Sequence, residues 1–286
     1  MLKEKGRSFV LILVLLAVLA LVGCSSSKTK VSADEVVQDA LAAQAGVTSS
    51  HVEIDIVATA EGTLNGEPLD AGLDAALTGD IDWANKKMKA DLGMNVDYNG
   101  FQMPISMKMY AVDNCSYMQM MFGLMADNWT KSELPMDFWF SQDQDNEQFI
   151  DGILQSTEAE SLPNDKVGGV SCYVLQLTPD IADLQQMLSQ QAASEEEMPD
   201  IASLVSDLSI KVWVAKDTSY VTKIEIVLSA HLTPEALGET ANGDTLDISL
   251  TITMEVTDVN EPLSIELPAD ALNAEEGSPE LPFDMF

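Results

Sequence analysis

Arginine is almost missing from this 286-residue chain, and Arg7 is the only one. No later side chain can make the planar, two-pronged grip on phosphate or carboxylate that a guanidinium offers, so the usual clamp on nucleotides and acidic peptides is ruled out. Lysine is scarce as well. From residue 24 onward 11 lysines face 46 acidic residues, 35 net negative charges, and only Lys86, Lys87 and Lys89 cluster. A charge-neutralising footprint on a nucleic acid cannot be assembled from so few, which argues against DNA or RNA as a partner and leaves basic envelope partners as the charge-matched class. Histidine occurs twice, at His51 and His231, with no nucleophile at a catalytic spacing, and each reads as a surface residue. Gly-x-Ser-x-Gly, phosphate-loop, dinucleotide and His-Glu-x-x-His patterns are all missing, so no catalytic residue, metal ligand or cofactor is assigned and the chain reads as non-enzymatic. Cysteine is limited to Cys24, Cys115 and Cys172 without a Cys-x-x-Cys pair, which removes redox catalysis.

What is present begins with an address. Lys3, Lys5 and Arg7 precede an apolar run from Phe9 to Val22 that ends in Leu21-Val22-Gly23-Cys24. A basic flank, a short apolar core and a small-residue ending before cysteine are the parts of a lipoprotein signal peptide. The run is shorter than the roughly 20 residues a spanning helix needs. Residues 1–23 are therefore expected to be removed and Cys24 to carry acyl chains such as palmitate, which anchors the protein on the extracytoplasmic face of the cell membrane. In that oxidising compartment Cys115 and Cys172 either form a disulfide or pack as two buried thiols. Residues 24–30 are small and polar, the composition of a tether.

A helix follows the tether. Ser32 and Glu35 make a capping box, Val36, Val37, Ala40, Leu41 and Ala45 recur at helical spacing, and Gly46 supplies a stop. From His51 the period changes to two. Val52, Ile54, Ile56 and Ala58 alternate with polar residues; so do Leu73, Ala75 and Leu77, then Met88, Leu92, Met94 and Val96, then Met103, Ile105, Met107 and Met109. Asn99-Gly100, and before it Asn65-Gly66, are hairpin turns. Cys115–Met121 and a short segment around Trp129 continue the strands. Helices are expected over Asp143–Leu154 and from Thr178-Pro179-Asp180 through Leu188, with strands at Ser156–Ser161 and Val170–Leu177 between them. Leu208–Ala215, Tyr220–Leu232 and Leu246–Val256 close the domain. After Asp270 the chain reads as an acidic tail.

Strands of about eleven residues reach about 36 Å and carry apolar side chains on one side only, so the sheet twists and curls around whatever covers that side. The expected class is α+β: a curved antiparallel half-barrel over residues 31–270 with helices on its concave face, and a tail over 271–286. Oxygen-rich Asp143-Gln144-Asp145-Asn146-Glu147 begins like a calcium loop, but Gln148 and Leu154 stand where Gly and Glu are needed, and helix-start acids explain it. Asp80 and Asp82 share a strand face without further signs of glycosidase chemistry. Phe286 and the long alternating strands suggest an outer-membrane barrel, which the lipobox and the amphipathic helices contradict.

Three phrases carry a resemblance. Asn114-Cys115-Ser116-Tyr117-Met118-Gln119-Met120 ahead of Trp129-Thr130-Lys131, Gly168-Gly169-Val170-Ser171-Cys172-Tyr173-Val174-Leu175, and Val212-Trp213-Val214-Ala215-Lys216-Asp217-Thr218 before Lys223-Ile224 resemble the strand segments of LolA-like and LppX/LprG-like lipoprotein carriers. The resemblance runs from Val31 to about Leu267 and implies a half-barrel whose concave side accepts acyl chains. On the residues themselves, Ile54, Leu77, Leu92, Met94, Met103, Met107, Met109, Ile226, Leu228 and Ile252 are the expected lining, because adaptable methionines suit a variable apolar ligand. The same residues would equally serve as ordinary core if helices fill the concavity. A third use of the domain, as an interaction or sensor module working through its acidic surface, stays open beside these.

Overall fold

Period-two patterning over most of the chain becomes one antiparallel sheet. The structure, a computed structural model, describes residues 31–64, 66–123, 125–126, 128–133, 157–179, 204–233 and 244–277. Among them stands one α-helix, α1 (Ala33–Gln44), which begins just after Ser32 and buries Val36, Val37 and Ala40. Its end is closed by Gly46 N–H donating to Ala43 O and Val47 N–H donating to Gln44 O, both at 3.0 Å. The strands are β1 (Ser49–Leu64), β2 (Glu67–Asp82), β3 (Lys87–Tyr98), β4 (Phe101–Val112), β5 (Cys115–Phe122), β6 (Met125–Ala126), β7 (Thr130–Glu133), β8 (Thr157–Val167), β9 (Val170–Pro179), β10 (Val205–Ala215), β11 (Val221–Leu232), β12 (Leu246–Thr257) and β13 (Glu275–Glu276).

Their order is β13-β7-β5-β4-β3-β2-β1-β12-β11-β10-β9-β8, with β6 paired to β5 off this path. Two meanders thus meet at one seam, where β1 and β12 pair from His51↔Thr257 to Gly62↔Leu246. The ends of the order, β13 and β8, do not pair with each other, and the sheet is open. Its hairpins turn where the sequence placed them: Asn99 and Gly100 adopt φ of 52° and 84°, the left-handed pair that a tight turn between twisted strands requires. Asn99 also accepts from the Asp70 N–H through Oδ1 at 2.8 Å and donates its own N–H to Asp70 O at 2.7 Å.

Three readings change. β8 runs on through Pro163 to Val167, because the register shift between Leu162 and Asp165 absorbs Pro163 and Asn164 as a bulge at the end of the sheet order. β9 extends to Pro179, since Thr157 pairs with Pro179 and Glu158 with Thr178, and this pairing overrides the helix-start signal at Thr178-Pro179. The first residues of the stretch expected as an acidic tail are built into the fold. Ala271–Asn273 forms a 3₁₀ turn with Ala271 fully buried, and β13 pairs in parallel with β7 through Glu275↔Thr130 and Glu276↔Lys131. Residues 258–277 therefore form a strap. It is fixed at β1 by Asn260 N–H to Ser49 O at 2.9 Å and at β7 by Gly277 N–H to Lys131 O at 3.0 Å, with Glu275 N–H to Trp129 O just before β7 at 3.0 Å. The expected signal peptide, Cys24, the expected tether, the helix expected over Asp143–Leu154 and the one expected from Asp180 lie outside the described residues.

The most deeply buried part lies at β9 and β10. Leu175, Leu177, Val212 and Val214 are almost fully buried on one face, while Val167, Cys172, Val174 and Trp213 form a cluster on the other, with Leu162 against it. Buried on both faces, Val212 to Ala215 lose the alternation seen elsewhere.

Candidate functional site

Cross-strand pairing decides which side chains share a face, because partners in register point the same way. One row passes through nine strands: Met120, Met107, Leu92, Leu77, Ile54, Met254, Ile224, Val212 and Leu175. The next row carries Ile105, Met94, Ala75, Ile56, Ile252, Ile226 and Ile210. A further row holds Met103, Val96, Leu73, Ala58, Leu250 and Leu228. All ten expected lining residues, Ile54, Leu77, Leu92, Met94, Met103, Met107, Met109, Ile226, Leu228 and Ile252, lie on this one face. Each is half-buried. Ile56, Ile224 and Met254 join them, carried by the same alternation.

Burial along the first row is uneven. Leu175 and Val212 at one end are 0% and 1% exposed and Met120 at the other is 8% exposed, whereas the six residues between them are all partly open. Along this row the face is buried at its flanks and partly open in its middle, over β4, β3, β2, β1, β12 and β11.

The opposite face is polar. Glu53, Asp55, Asp74 and Asp91 project from it exposed, and lysines there are engaged: Lys211 Nζ to Glu225 Oε1 at 2.9 Å, Lys223 Nζ to Glu255 Oε1 at 3.0 Å. At the end near the strap, Asp80 is buried and joins two strands. Its Oδ1 lies 2.5 Å from His51 Nδ1 and its Oδ2 lies 2.6 Å from Lys89 Nζ. His51 is thus half-buried and partnered rather than a free surface group, and Asp82 is occupied by Asn85 at 2.9 and 2.8 Å. Sequence patterning could not find this trio, since residues 51, 80 and 89 meet only through strand register. His231 does stay exposed, 2.6 Å from Asp247.

Neither cysteine is bridged. Cys115 sits in β5 and Cys172 in β9 with seven strands between them in the sheet order, and both thiols are free, so the disulfide alternative is replaced by the thiol one. Cys172 Sγ instead lies 3.3 Å from Thr222 Oγ1. Among the described residues no group of three or more His, Cys, Asp or Glu side chains is arranged to hold a metal ion, and no helix is long and apolar enough to cross a membrane.

Residues 32–276 match the sequence profile of DUF6612, a family of unknown function. The chain belongs to the DUF6612 family. No curated protein matches it. Among solved structures, this DUF6612 member is similar to the lipoprotein LppX of Mycobacterium tuberculosis, at 16% identity over 82% of this chain and 97% of that one, with a TM-score of 0.39. LprF from Mycobacterium bovis matches at 13% identity, 83% and 97% coverage and a TM-score of 0.41. A putative outer membrane lipoprotein-sorting protein domain from Vibrio parahaemolyticus matches at 10% identity, 84% and 96% coverage and a TM-score of 0.23.

Proposed function

We propose that this DUF6612 protein is a non-enzymatic, membrane-tethered extracytoplasmic lipoprotein that holds an acyl chain or a similar hydrophobic ligand against the apolar face of its sheet. One observation carries the reading. An apolar row nine strands wide is buried at both ends and left partly open over its central strands, with Met107, Leu92, Leu77 and Ile54 among the open positions. An aliphatic ligand laid across those strands would remove their apolar surface from water, a gain of about 25 cal/mol per Å² covered. Curvature of the sheet around that ligand, helices of the intervening segments over it, and acylated Cys24 as the anchor complete the proposal.

Native mass spectrometry of residues 25–286, expressed in bacteria and purified without detergent, tests it. A discrete added mass of lipid size that organic extraction removes is the expected result. Repeated spectra of ligand-free protein, from material never exposed to extraction, would sink the proposal.

A further inference from the structure

The rows of the apolar face differ along the strands. Nearest the strap, the row Ser50, Ile81, Met88, Ala111 and Ser116 is largely shut, with Ser50, Ala111 and Ser116 at 2%, 0% and 5% exposed. At the opposite end the row that begins Ala60, Ala71 finishes in Tyr98 and Phe101, which are 56% and 71% exposed. These two rings are cross-strand partners on either side of Asn99-Gly100, one row beyond Val96 and Met103, so they carry the apolar surface out to the rim. The face is closed toward the strap and open at the hairpin end. Leu92 and Tyr98 stand roughly 20 Å apart along β3 at about 3.3 Å per residue, the length of an extended acyl chain.

Charge is divided along the same axis. From residue 31 onward the chain has nine lysines and no arginine. Lys211, level with Asp55 of β1 in the register, comes farthest toward the hairpin end; Lys108 and Lys223 stand level with Glu53, and the other six lie nearer the strap. Beyond that level the described residues offer acids, Glu67, Asp70, Asp97 and Asp247 among them, with His231 against Asp247. An anionic head would find its counter-charges only at the end of the face that is shut. At the open end it would meet carboxylates and no ammonium or guanidinium group.

We propose that the bound lipid lies with its tail over the open middle of the face and its head at the Tyr98–Phe101 rim, and that this head carries no net negative charge. The inference rests on the acyl-chain reading above and adds the orientation and class of the ligand. A carboxylate at roughly 10 Å from a unit charge in water shifts occupancy by up to about twofold, and several act together at the rim.

The test uses the full-length chain kept soluble in CHAPS, a steroid detergent with no acyl chain to compete. It receives equal amounts of palmitoyl-lysophosphatidylcholine and palmitoyl-lysophosphatidylglycerol, which share a tail and differ in head charge; monopalmitoylglycerol against the same anionic lipid forms the second pairing. Bound lipid is extracted after gel filtration and quantified. Both uncharged or zwitterionic heads are expected to exceed the anionic one at least about fivefold in 0.05 M sodium chloride, and by less than about twofold in 0.5 M, where the screening length is roughly 4 Å. Glu67→Lys with Asp70→Lys, two exposed positions at the hairpin end, should bring the low-salt ratio below about twofold. Glu133→Lys with Glu266→Lys, exposed positions at the strap end, make the same change in net charge and should leave the ratio as it is. Equal uptake of the two heads by the unaltered protein, a ratio unmoved by the hairpin-end pair, or one moved as far by the strap-end pair would each overturn this inference while the acyl reading stands. Uptake of none of the three lipids would overturn both.

Discussion

The hydrogen bond from Asp80 is the largest influence on His51 and raises its pKa above 6.5, with burial opposing and Glu53 adding to the rise. For Asp80 burial is the largest influence and pushes its carboxyl up, but the hydrogen bonds and charges of His51 and Lys89 outweigh it and hold the group below 3.8. A raised histidine gives stability that is complete below its unfolded value and fades as pH climbs through its folded one. A depressed carboxylate gives stability that is complete above its unfolded value and fades as pH falls through the folded one. Both are present together between roughly pH 4 and 6.5. Asp80→Asn is therefore expected to cost more at pH 5.5 than at pH 8.5, by on the order of 1 kcal/mol, in urea unfolding at the two pH values; an equal cost would show that the pair is not coupled. Asn260 is a second residue whose role is local. Its Oδ1 accepts from Thr48 N–H at 2.6 Å and Thr48 Oγ1 at 2.8 Å, and its Nδ2 donates to Gly46 O at 3.1 Å and Tyr220 Oη at 2.9 Å. Asn260→Ala should lower stability by about 1–2 kcal/mol, since it removes all four bonds, even at an exposed position, and frees the start of the strap.

Strand elements differ in how they use glycine, and the difference is measurable. A methyl group on Gly62 in β1 would stand 2.0 Å from Thr245 O, at the point where Thr63 N–H bonds that same oxygen at 2.8 Å. Gly93 in β3 has open space around it. Gly62→Ala is expected to destabilise by at least about 2 kcal/mol, by displacing the β1–β12 seam, and Gly93→Ala to be neutral or stabilising by up to about 1 kcal/mol; thermal melts of the two variants decide it. Elements were legible where one face is wet and one is apolar. There Ile54, Leu77, Leu92 and Met107 alternate with Glu53, Thr78, Asp91 and Lys108, and the Asn99-Gly100 turn fixes the register. Legibility failed where tertiary pairing outranks local preference. Pro163 and Thr178-Pro179 carry break and helix-start signals, yet β8 and β9 pair through both, one by a bulge and one at a strand end. The strap left no periodic trace at all, because its order comes from single contacts such as Ala271 and Glu275 rather than from a repeating face. The shared apolar face could be read from alternation, while the His51, Asp80, Lys89 trio joins residues far apart in sequence and left no mark on it.

At the scale of the whole molecule the two faces make opposite demands. A charge placed in the open middle of the apolar face, Leu92→Glu, should empty the protein of bound lipid at least about tenfold as read by native mass spectrometry, whereas Val57→Glu on the polar face, where Val57 is already 50% exposed, should leave it unchanged. If both variants retain lipid equally, the ligand lies elsewhere. Acidic residues so outnumber basic ones that the folded state repels itself. Unfolding stability should thus rise by on the order of 1 kcal/mol between 0.05 and 0.5 M sodium chloride, while lipid retention survives the same change. The seam between the two meanders has a consequence in time. Its partners, His51↔Thr257 through Gly62↔Leu246, sit about two hundred residues apart in the chain. A ribosome adding about 5–20 residues per second reaches β12 some ten to forty seconds after β1 is made, and for that interval the first strand has hairpin neighbours on one side and a bare hydrogen-bonding edge on the other. A chain of this design has to be kept from joining its own siblings until the second half arrives.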